Sequence, residues 1–400
     1  MADATRVRVL HVITELGIGG AEQMLVKLLR TCDRRRFEVA VVVLMPGGAL
    51  IEDIRALGFE VWDLGMTRGR SDPRAFLRML GHLRRFRPQV LQAWLYHAEL
   101  LSTLALLLLP DLRTRLFWNI RGSLLDPAQR SRGQRLICWL LARLSRRPEA
   151  VIVNSQAGRD YHESLGYRPR RWLYLPNGFD TQRFTPDAGR RSAMRRELAL
   201  PHDAFVIGHV ARWDPLKDHP TMFEALARHF AECPDSVCIF VGLDMNADNP
   251  ALDARFRPGG RFADRIRLLD QRRDVERLYA AFDLFVSSSW SEGFPNVIGE
   301  AMASALPVVA TDAGESRALV DDCGRVVPVR DPGQLAAALT AMAAQNAEHR
   351  QDQGRSARHR IVEHFGLDAV SRRFWSLYGE AGAGGGSGSE RGTVRDSQVT

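Results

Sequence analysis

No apolar run in this 400-residue chain approaches the roughly 20 residues that span a bilayer. The longest, Leu100 to Leu109, is interrupted by Ser102 and Thr103 and closed by Pro110, so it reads as a buried helix. The first residues lack a basic flank followed by an apolar stretch and a small-residue cleavage site, so a secretory leader is not expected. Cysteine is sparse: Cys32, Cys138, Cys233, Cys238 and Cys323 are odd in number, widely spread and without a C-x-x-C. Zinc ligation and a disulfide framework are therefore not expected, and a reducing cytoplasm fits best. Asp-x-Asp is missing, the nearest approach being Asp321-Asp322, so a metal held through that motif is not expected either. Gly-x-x-x-x-Gly-Lys-Ser/Thr is also missing, which removes the ordinary P-loop nucleotidases. Glycine (33) and proline (19) are too ordinary for collagen or a wholly disordered chain. Lysine is almost absent, since only Lys27 and Lys217 among 55 basic residues are not arginine.

What is present is 45% apolar and 26% charged, a globular composition long enough for two domains. The net charge of +8 is uneven: residues 1–175 hold 28 basic against 16 acidic residues, and residues 176–400 hold 27 against 31. The first half thus suits an anionic partner such as nucleic acid, acidic lipid or a phosphorylated substrate, or is simply charged for solubility. Arg84-Arg85-Phe86-Arg87 and the stretch Leu136 to Arg147, with Cys138, Trp139 and Leu140 among basic residues, are candidate docking patches for an anionic membrane surface. No aromatic-basic platform or recognisable motif supports nucleic acid, and none is expected as a partner.

Two stretches share one rhythm of short apolar runs alternating with amphipathic segments. The first has strands near residues 6–13, 37–44, 59–64, 89–93, 115–120 and 150–154, with helical spacing between them. Residues 177–203 carry Asn177-Gly178, Pro186, Gly189 and Pro201 around one short basic helix, which is linker chemistry. The rhythm restarts at Phe205. Alternation of this kind predicts an α/β protein with two doubly wound parallel sheets, Rossmann-like, facing one cleft. The expected units are 1–176, an acceptor-side domain; 177–203, a linker; 204–365, a nucleotide-sugar domain; 366–380, a helix packing back on the first domain; and 381–400, a disordered tail. Ligands of such sheets sit beyond the carboxyl ends of the strands, so the loops after strands are where chemistry is expected.

Three such loops stand out. Gly17-Ile-Gly-Gly-Ala-Glu22 follows the first strand, and its glycines let backbone N–H groups of Gly19 and Gly20 approach a phosphate, or simply make a tight turn. It is not a dinucleotide fingerprint, because Glu22 stands at the third glycine position. Gly208 to Pro220 presents Arg212 and Lys217, two cations at a strand end that suit a diphosphate; the alternative is a surface turn salt-bridged through Asp214 and Asp218. Ser289 to Ala303 carries Glu292 in a loop and Glu300 one turn into a helix, with Gly293, Phe294, Pro295, Asn296 and Val297 between them. Paired carboxylates accept hydroxyl hydrogen bonds, and the loop amides can reach a phosphate; the alternative is two capping acids at a helix start.

In order and spacing these three segments resemble the retaining glycosyltransferases of the two-domain nucleotide-sugar class, family 4 with the GT-B fold. The resemblance runs from residue 6 to about 380. It also takes in Leu175-Pro-Asn-Gly-Phe-Asp180 and Trp94-Leu-Tyr-His-Ala-Glu-Leu100, and is nearest to members of surface-polysaccharide assembly. The resemblance implies that Arg212 and Lys217 hold the donor diphosphate with the backbone at Gly19 and Gly20. It implies further that Glu300 binds the ribose, and that Glu292, with the backbone of Gly293 to Val297, binds the donor sugar. His97 matches the histidine that faces that sugar near the reacting carbon. Where the family often has glycine, this chain has Asp270, in a loop by the nucleobase; Arg272 stands beside it. The implied activity is transfer from a UDP- or GDP-sugar to a hydroxyl of a lipid-linked or growing glycan, with retention and without a metal or other cofactor. A sugar-nucleotide epimerase or phosphorylase of the same architecture and a basic nucleic-acid-binding module are the other readings.

Overall fold

The computed structural model describes residues 6–17, 19–67, 72–121 and 131–383. The first half alternates β1 (Val7–Ile13), α1 (Gly20–Arg30), β2 (Phe37–Val43), α2 (Ile51–Ala56), β3 (Glu60–Asp63), α3 (Pro73–Phe86) and β4 (Val90–Trp94). It continues with α4 (Tyr96–Leu107), β5 (Arg115–Ile120), α5 (Arg132–Leu144), β6 (Ala150–Val153), α6 (Gln156–Ser164) and β7 (Trp172–Tyr174). After α7 (Ala188–Glu197) come β8 (Phe205–Val210), α8 (His219–Glu232), β9 (Ser236–Val241), β10 (Ile266–Leu268), α9 (Val275–Ala281) and β11 (Leu284–Ser287). The chain ends with α10 (Asn296–Ala303), β12 (Val308–Thr311), α11 (Ser316–Val320), β13 (Arg325–Val327), α12 (Pro332–Ala343), α13 (Ala347–Phe365) and α14 (Leu367–Ala383).

The strands form two wholly parallel sheets, ordered β3-β2-β1-β4-β5-β6-β7 and β10-β9-β8-β11-β12-β13. Each order reverses once, between β1 and β4 and between β8 and β11, and this is the doubly wound architecture that the alternation predicts. In the first sheet β1 lies between β2 and β4, with Val9 opposite Val39 and Val90 and Ile13 opposite Val43 and Trp94. Strands covered on both faces are apolar at nearly every position, as in Phe37–Val43, rather than alternating. Val9, Ile13 and Val41 then pack under α1, α2 and α14, while Leu10, Val12 and Val42 pack under α3, α4 and α5. The second sheet repeats this with α9, α10 and α13 on one face and α8 and α12 on the other.

The chain passes between the halves twice. Phe179 and Gly366 pair as a parallel bridge, with Phe179 N–H donating to Phe365 O and Leu367 N–H to Phe179 O, both at 2.9 Å. Beyond it α14 buries Val370, Phe374, Trp375 and Tyr378 in the core of the first sheet.

Three short elements escape the sequence pattern. β7 has only three residues beside Arg170 and Arg171; α6 buries only Gly158 and His162 and starts on a Ser155 cap; α11 is five residues long. Helix α14 continues through Ala381, which is buried, to Ala383, so residues 381–383 are helical where a tail is expected; residues 384–400 lie outside the described residues. No helix among the described residues is long and apolar enough to cross a membrane.

Candidate active site

At the seam between the sheets the loop after β1 approaches the start of α10, which follows β11, and Asn177 joins the end of β5 to the same helix start. On the first side Gly19 stands at the N-terminus of α1 with no side chain to cap it. The Glu22 carboxylate curls back over that end, where a Cβ on Gly19 would overlap it, and burial raises its pKa. A Cβ on Gly20 would stand 3.1 Å from Asn296 Nδ2 of α10, so the glycines allow the two halves to approach here. Asn296 is also held from the first side, accepting from Asn177 Nδ2 at 2.7 Å. Asn177 in turn accepts from the buried Arg121, whose Nε donates to Asn119 at 2.8 Å. Burial lowers the Arg121 pKa to about 9.

His97 is the second residue of α4 and is exposed. The turn that presents it is strained, because Leu95 sits at φ 71°, ψ 159°, a region that costs a side-chain-bearing residue on the order of 1–3 kcal/mol.

On the second side Lys217 and Glu292 meet, Nζ to Oε1, at 2.5 Å, with both side chains largely buried. Ser289 Oγ donates to the same Oε1 at 2.7 Å, and Ser288 Oγ donates to Lys217 O at 2.8 Å, which fixes the β8 loop against the β11 loop. Asp218, in the left-handed region at φ 50°, turns the chain from Lys217 into α8 and caps it through Thr221. Arg212 is exposed and paired at 2.6 Å with Asp214 of its own loop. Local salt bridging therefore describes Arg212 but not Lys217.

Helix α10 begins behind Pro295, with no side-chain cap, so neither glutamate serves as its cap. Its first amides have no partner within the helix and remain available to an anion. Gly293 O accepts from Glu315 N at 3.0 Å, and Gly314, at φ 57°, lets the chain lie against the Glu292 carbonyl without a Cβ in the way. Phe294 stacks on Phe179 with ring centroids 6.0 Å apart. Glu300, 9% exposed, accepts from Tyr279 OH at 3.3 Å; burial raises its pKa and the Lys27 charge pulls it back down. Val297 O lies 3.2 Å from the same hydroxyl.

The structure thus brings Gly20 to Asn296, and Lys217 to Glu292. It does not bring Arg272 there. That guanidinium is held by Asp274 at 2.8 Å and by Glu197 of α7 at 3.0 Å, which push its pKa up. Asp270 takes φ 48°, the left-handed conformation glycine adopts freely and Asp tolerates. Its carboxylate accepts from Asp244 N at 2.9 Å, so the backbone path survives the change from glycine.

Four participants escaped the sequence reading. Lys27 of α1 donates to Gly178 O in the crossing segment at 3.2 Å, and its rarity in this chain was the available signal. Asn177 sits in a Pro-Asn-Gly string that reads as a turn. Arg121 ends a strand like any other basic residue. Glu315 receives Gln156 N at the start of α6 at 3.0 Å and Tyr174 OH at 3.4 Å, tying the halves together with nothing in its local sequence to announce it. Among the described residues no group of three or more His, Cys, Asp or Glu is arranged to hold a metal ion.

Both halves of the chain are similar to known proteins. Residues 18–183 match the model of Glycosyltransferase Family 4, and residues 204–345 that of Glycosyl transferases group 1. A D-inositol 3-phosphate glycosyltransferase of Geodermatophilus obscurus is 37% identical over 207 residues, 48% of this chain and 45% of that protein. The matched region is thus under half that relative's length. The putative glycosyltransferase EpsF of Bacillus subtilis is 26% identical over 324 residues, 78% of this chain and 80% of its own. Among solved structures, Anabaena HepE in complex with UDP superposes with a TM-score of 0.81 at 22% identity, covering 94% of this chain and all of that one. WaaG, a glycosyltransferase involved in lipopolysaccharide biosynthesis, does so with 0.69 at 16%, covering 93% and 99%. At these identities the likeness is one of fold. The two family models lie end to end over most of the chain, one on each sheet, and the chain belongs to the family 4 glycosyltransferases of the GT-B fold.

Proposed function

We propose that this chain transfers a glycosyl unit from a nucleoside-diphosphate sugar, with a uracil or guanine base, to a hydroxyl of a glycan or lipid-linked acceptor, with retention. The observation that carries the reading is the Lys217–Glu292 pair beside the uncapped start of α10, opposite Gly19 and Gly20. A diphosphate there meets Lys217, Arg212 once released from Asp214, the amides of Gly293 to Val297 and those of Gly19 and Gly20. Glu292 accepts from hydroxyls of the sugar and Glu300 from those of the ribose. His97 faces the reacting carbon from the acceptor side, and residues 1–176 and 204–365 act as the acceptor and donor halves of one cleft.

In the reaction the bond from the anomeric carbon to the β-phosphate oxygen breaks as the acceptor oxygen approaches the same face. The acceptor proton passes to the departing phosphate oxygen, and the positive charge on the sugar is spread over its ring oxygen. Fixed cations and aligned amides that hold the leaving diphosphate lower the barrier by electrostatic preorganisation, with no metal required. Closure of the two halves excludes water. A thermal-shift panel of UDP-, GDP-, ADP- and dTDP-sugars tests this, since a true donor at ~100-fold its Kd stabilises by about 2.7 kcal/mol. Absence of a shift with every donor overturns it.

The lipid-linked form of the acceptor has its own support. Six of the ten large apolar side chains exposed among the described residues lie on one side of the first sheet: Leu77, Leu104, Leu107, Leu108, Leu136 and Trp139. The last carries the Arg143 guanidinium 4.3 Å above its ring. Arginines bordering apolar side chains suit the boundary of an anionic bilayer on the inner face of a membrane. Arg85 and Arg87, by contrast, line a separate cavity of about 670 Å³ with Arg6, Arg8 and Arg34. Flotation with anionic but not neutral liposomes, lost in Trp139→Asp, is the expected result; binding indifferent to lipid charge excludes it.

A further inference from the structure

Arg121 has an unusual setting for a charged group. It directly follows β5, is buried, and among the described residues forms no ion pair with a carboxylate. Its guanidinium stands instead 5.6 Å from the ring centroid of Trp94 on β4 and 5.5 Å from that of Phe374 on α14. Burial lowers its pKa only to about 9, so it keeps its charge at neutral pH. A guanidinium has five N–H donors and no acceptor, so whatever it touches must accept. Here it touches two asparagine side chains, Asn119 through Nε at 2.8 Å and Asn177 through Nη1.

The donor-only character of Arg121 sets a direction that passes along a chain of amides. An asparagine side chain has one accepting end and one donating end. With Oδ1 of Asn177 on the guanidinium, its Nδ2 points the other way and donates to Asn296 Oδ1 at 2.7 Å. Asn296 must then turn its own Nδ2 away from Asn177, and that atom stands 3.1 Å from the position of a Cβ on Gly20. Reversing either amide would set donor against donor. Asn296 is the first residue of α10 and Gly20 the first of α1, and neither helix has a side-chain cap at its start. The relay therefore holds two uncapped helix starts, one from each half, against each other, and it places an oriented NH2 beside them.

We propose that Asn177 is a positioning residue for the donor diphosphate: aligned by Arg121, it seats the start of α10 against Gly20 and turns the Asn296 amide so that its NH2, and not its oxygen, faces the anion. The proposal rests on the reading of that place as the diphosphate site. The sense of the amide matters there as much as its presence, since an NH2 donates to a phosphate oxygen and a carbonyl oxygen in its place repels one. Arg121 and Asn177 act through Asn296 rather than on the nucleotide. Because the bond from Asn177 to Asn296 crosses between the halves, the aligned NH2 is present only when the halves meet. Closure and donor binding are coupled through one hydrogen bond.

Asn177→Asp separates alignment from packing. The carboxylate keeps the shape of the amide and gives Arg121 a counter-ion, but it offers Asn296 an acceptor where the amide offered a donor. Asn296 then turns its NH2 to the new carboxylate and its oxygen to the diphosphate. The experiment measures thermal melting and UDP- and GDP-sugar Kd for wild type, Asn177→Asp and Asn177→Ala, each also in an Asn296→Ala background. Asn177→Asp is expected to melt no lower than Asn177→Ala and yet to bind donor more weakly, with Kd raised roughly 30-fold against roughly fivefold for Asn177→Ala. In the Asn296→Ala background the gap between the two is expected to close to within about twofold. A purely structural role gives the opposite order, the less stable variant being the weaker binder, and that result overturns the proposal. So does a gap that persists undiminished without Asn296, which would be direct repulsion by the new charge. If the wild type binds no sugar nucleotide, the donor reading fails, while NMR of the Asn296 side-chain NH2, assigned by its loss in Asn296→Ala, still decides the relay: Asn177→Asp must move those resonances, and unchanged resonances overturn it.

Discussion

Glu99 offers the sharpest physical test of the first sheet. It lies in the first turn of α4, is fully buried, and among the described residues only the Asn119 amide comes near its carboxyl oxygens, short of good hydrogen-bond geometry. Burial pushes its pKa up to about 8, with only the nearby Asn119 amide pulling the other way. The folded value is raised, so the group's contribution to stability is fully present below about pH 4.5 and is lost as pH rises through about 8. At about 1.4 kcal/mol per unit the full loss is roughly 5 kcal/mol, of which roughly 2 falls between about pH 6 and 8. Glu99→Gln keeps the shape and removes the titration. The amide brings its own unsatisfied donors, but that cost does not vary with pH. The measurement is therefore the difference in unfolding free energy between variant and wild type, by urea melts at steps of pH. The variant should gain on the wild type by roughly 2 kcal/mol across that interval, a shift of several degrees in Tm for one domain. A difference that stays flat with pH means that the carboxyl is not buried in its raised-pKa setting, and the packing described for α4 on the first sheet is then wrong.

Two further outcomes concern the site. Glu292→Ala and Lys217→Ala should each lower turnover at least about 100-fold, because removing either one breaks the contact and leaves the other charge without its partner; initial rates with the donor found by thermal shift check this, and near-wild-type rates in either variant count against the assignment. At Asp270, glycine should be tolerated within about 1 kcal/mol, whereas valine, strained at φ 48°, should cost more than that and disturb the loop beside β10; unfolding midpoints of the two variants decide it, and equal losses would refute the backbone account.

The sheets were legible because a strand buried on both faces has to be apolar throughout, and because the turns between strand and helix carry Gly, Pro and capping residues that no core could use. Phe37–Val43 and Phe205–Val210 announce themselves in this way. β7 does not, since a three-residue edge strand is half exposed and needs no apolar run. α6 does not either, because its buried side is Gly158 and His162, and His162 is satisfied by polar contacts with Gly158 O and Tyr96 OH rather than by apolar packing. Periodicity detects burial of hydrocarbon, and where an element is anchored by hydrogen bonds it is silent.

The site divides along the same line. Arg212, Lys217, Glu292 and Glu300 stand out as candidates because each lies in a loop after a strand or within two turns of the helix start that follows one, where ligands of such sheets bind. The residues that join the two halves do not, because each of them acts through a contact more than a hundred positions away. Asn177 meets Asn296, Lys27 meets Gly178 and Glu315 meets the start of α6. Each is a single polar side chain with no local pattern, and each becomes informative only when the second sheet is brought against the first. A chain can therefore point to candidate groups on one domain and still conceal the contacts by which the other domain meets them. In this protein the arginine-saturated composition leaves one trace of these contacts, since the rare ammonium at position 27 donates to Gly178 O in the crossing segment and stands over the ring of Phe179, against which Gly299 of α10 packs.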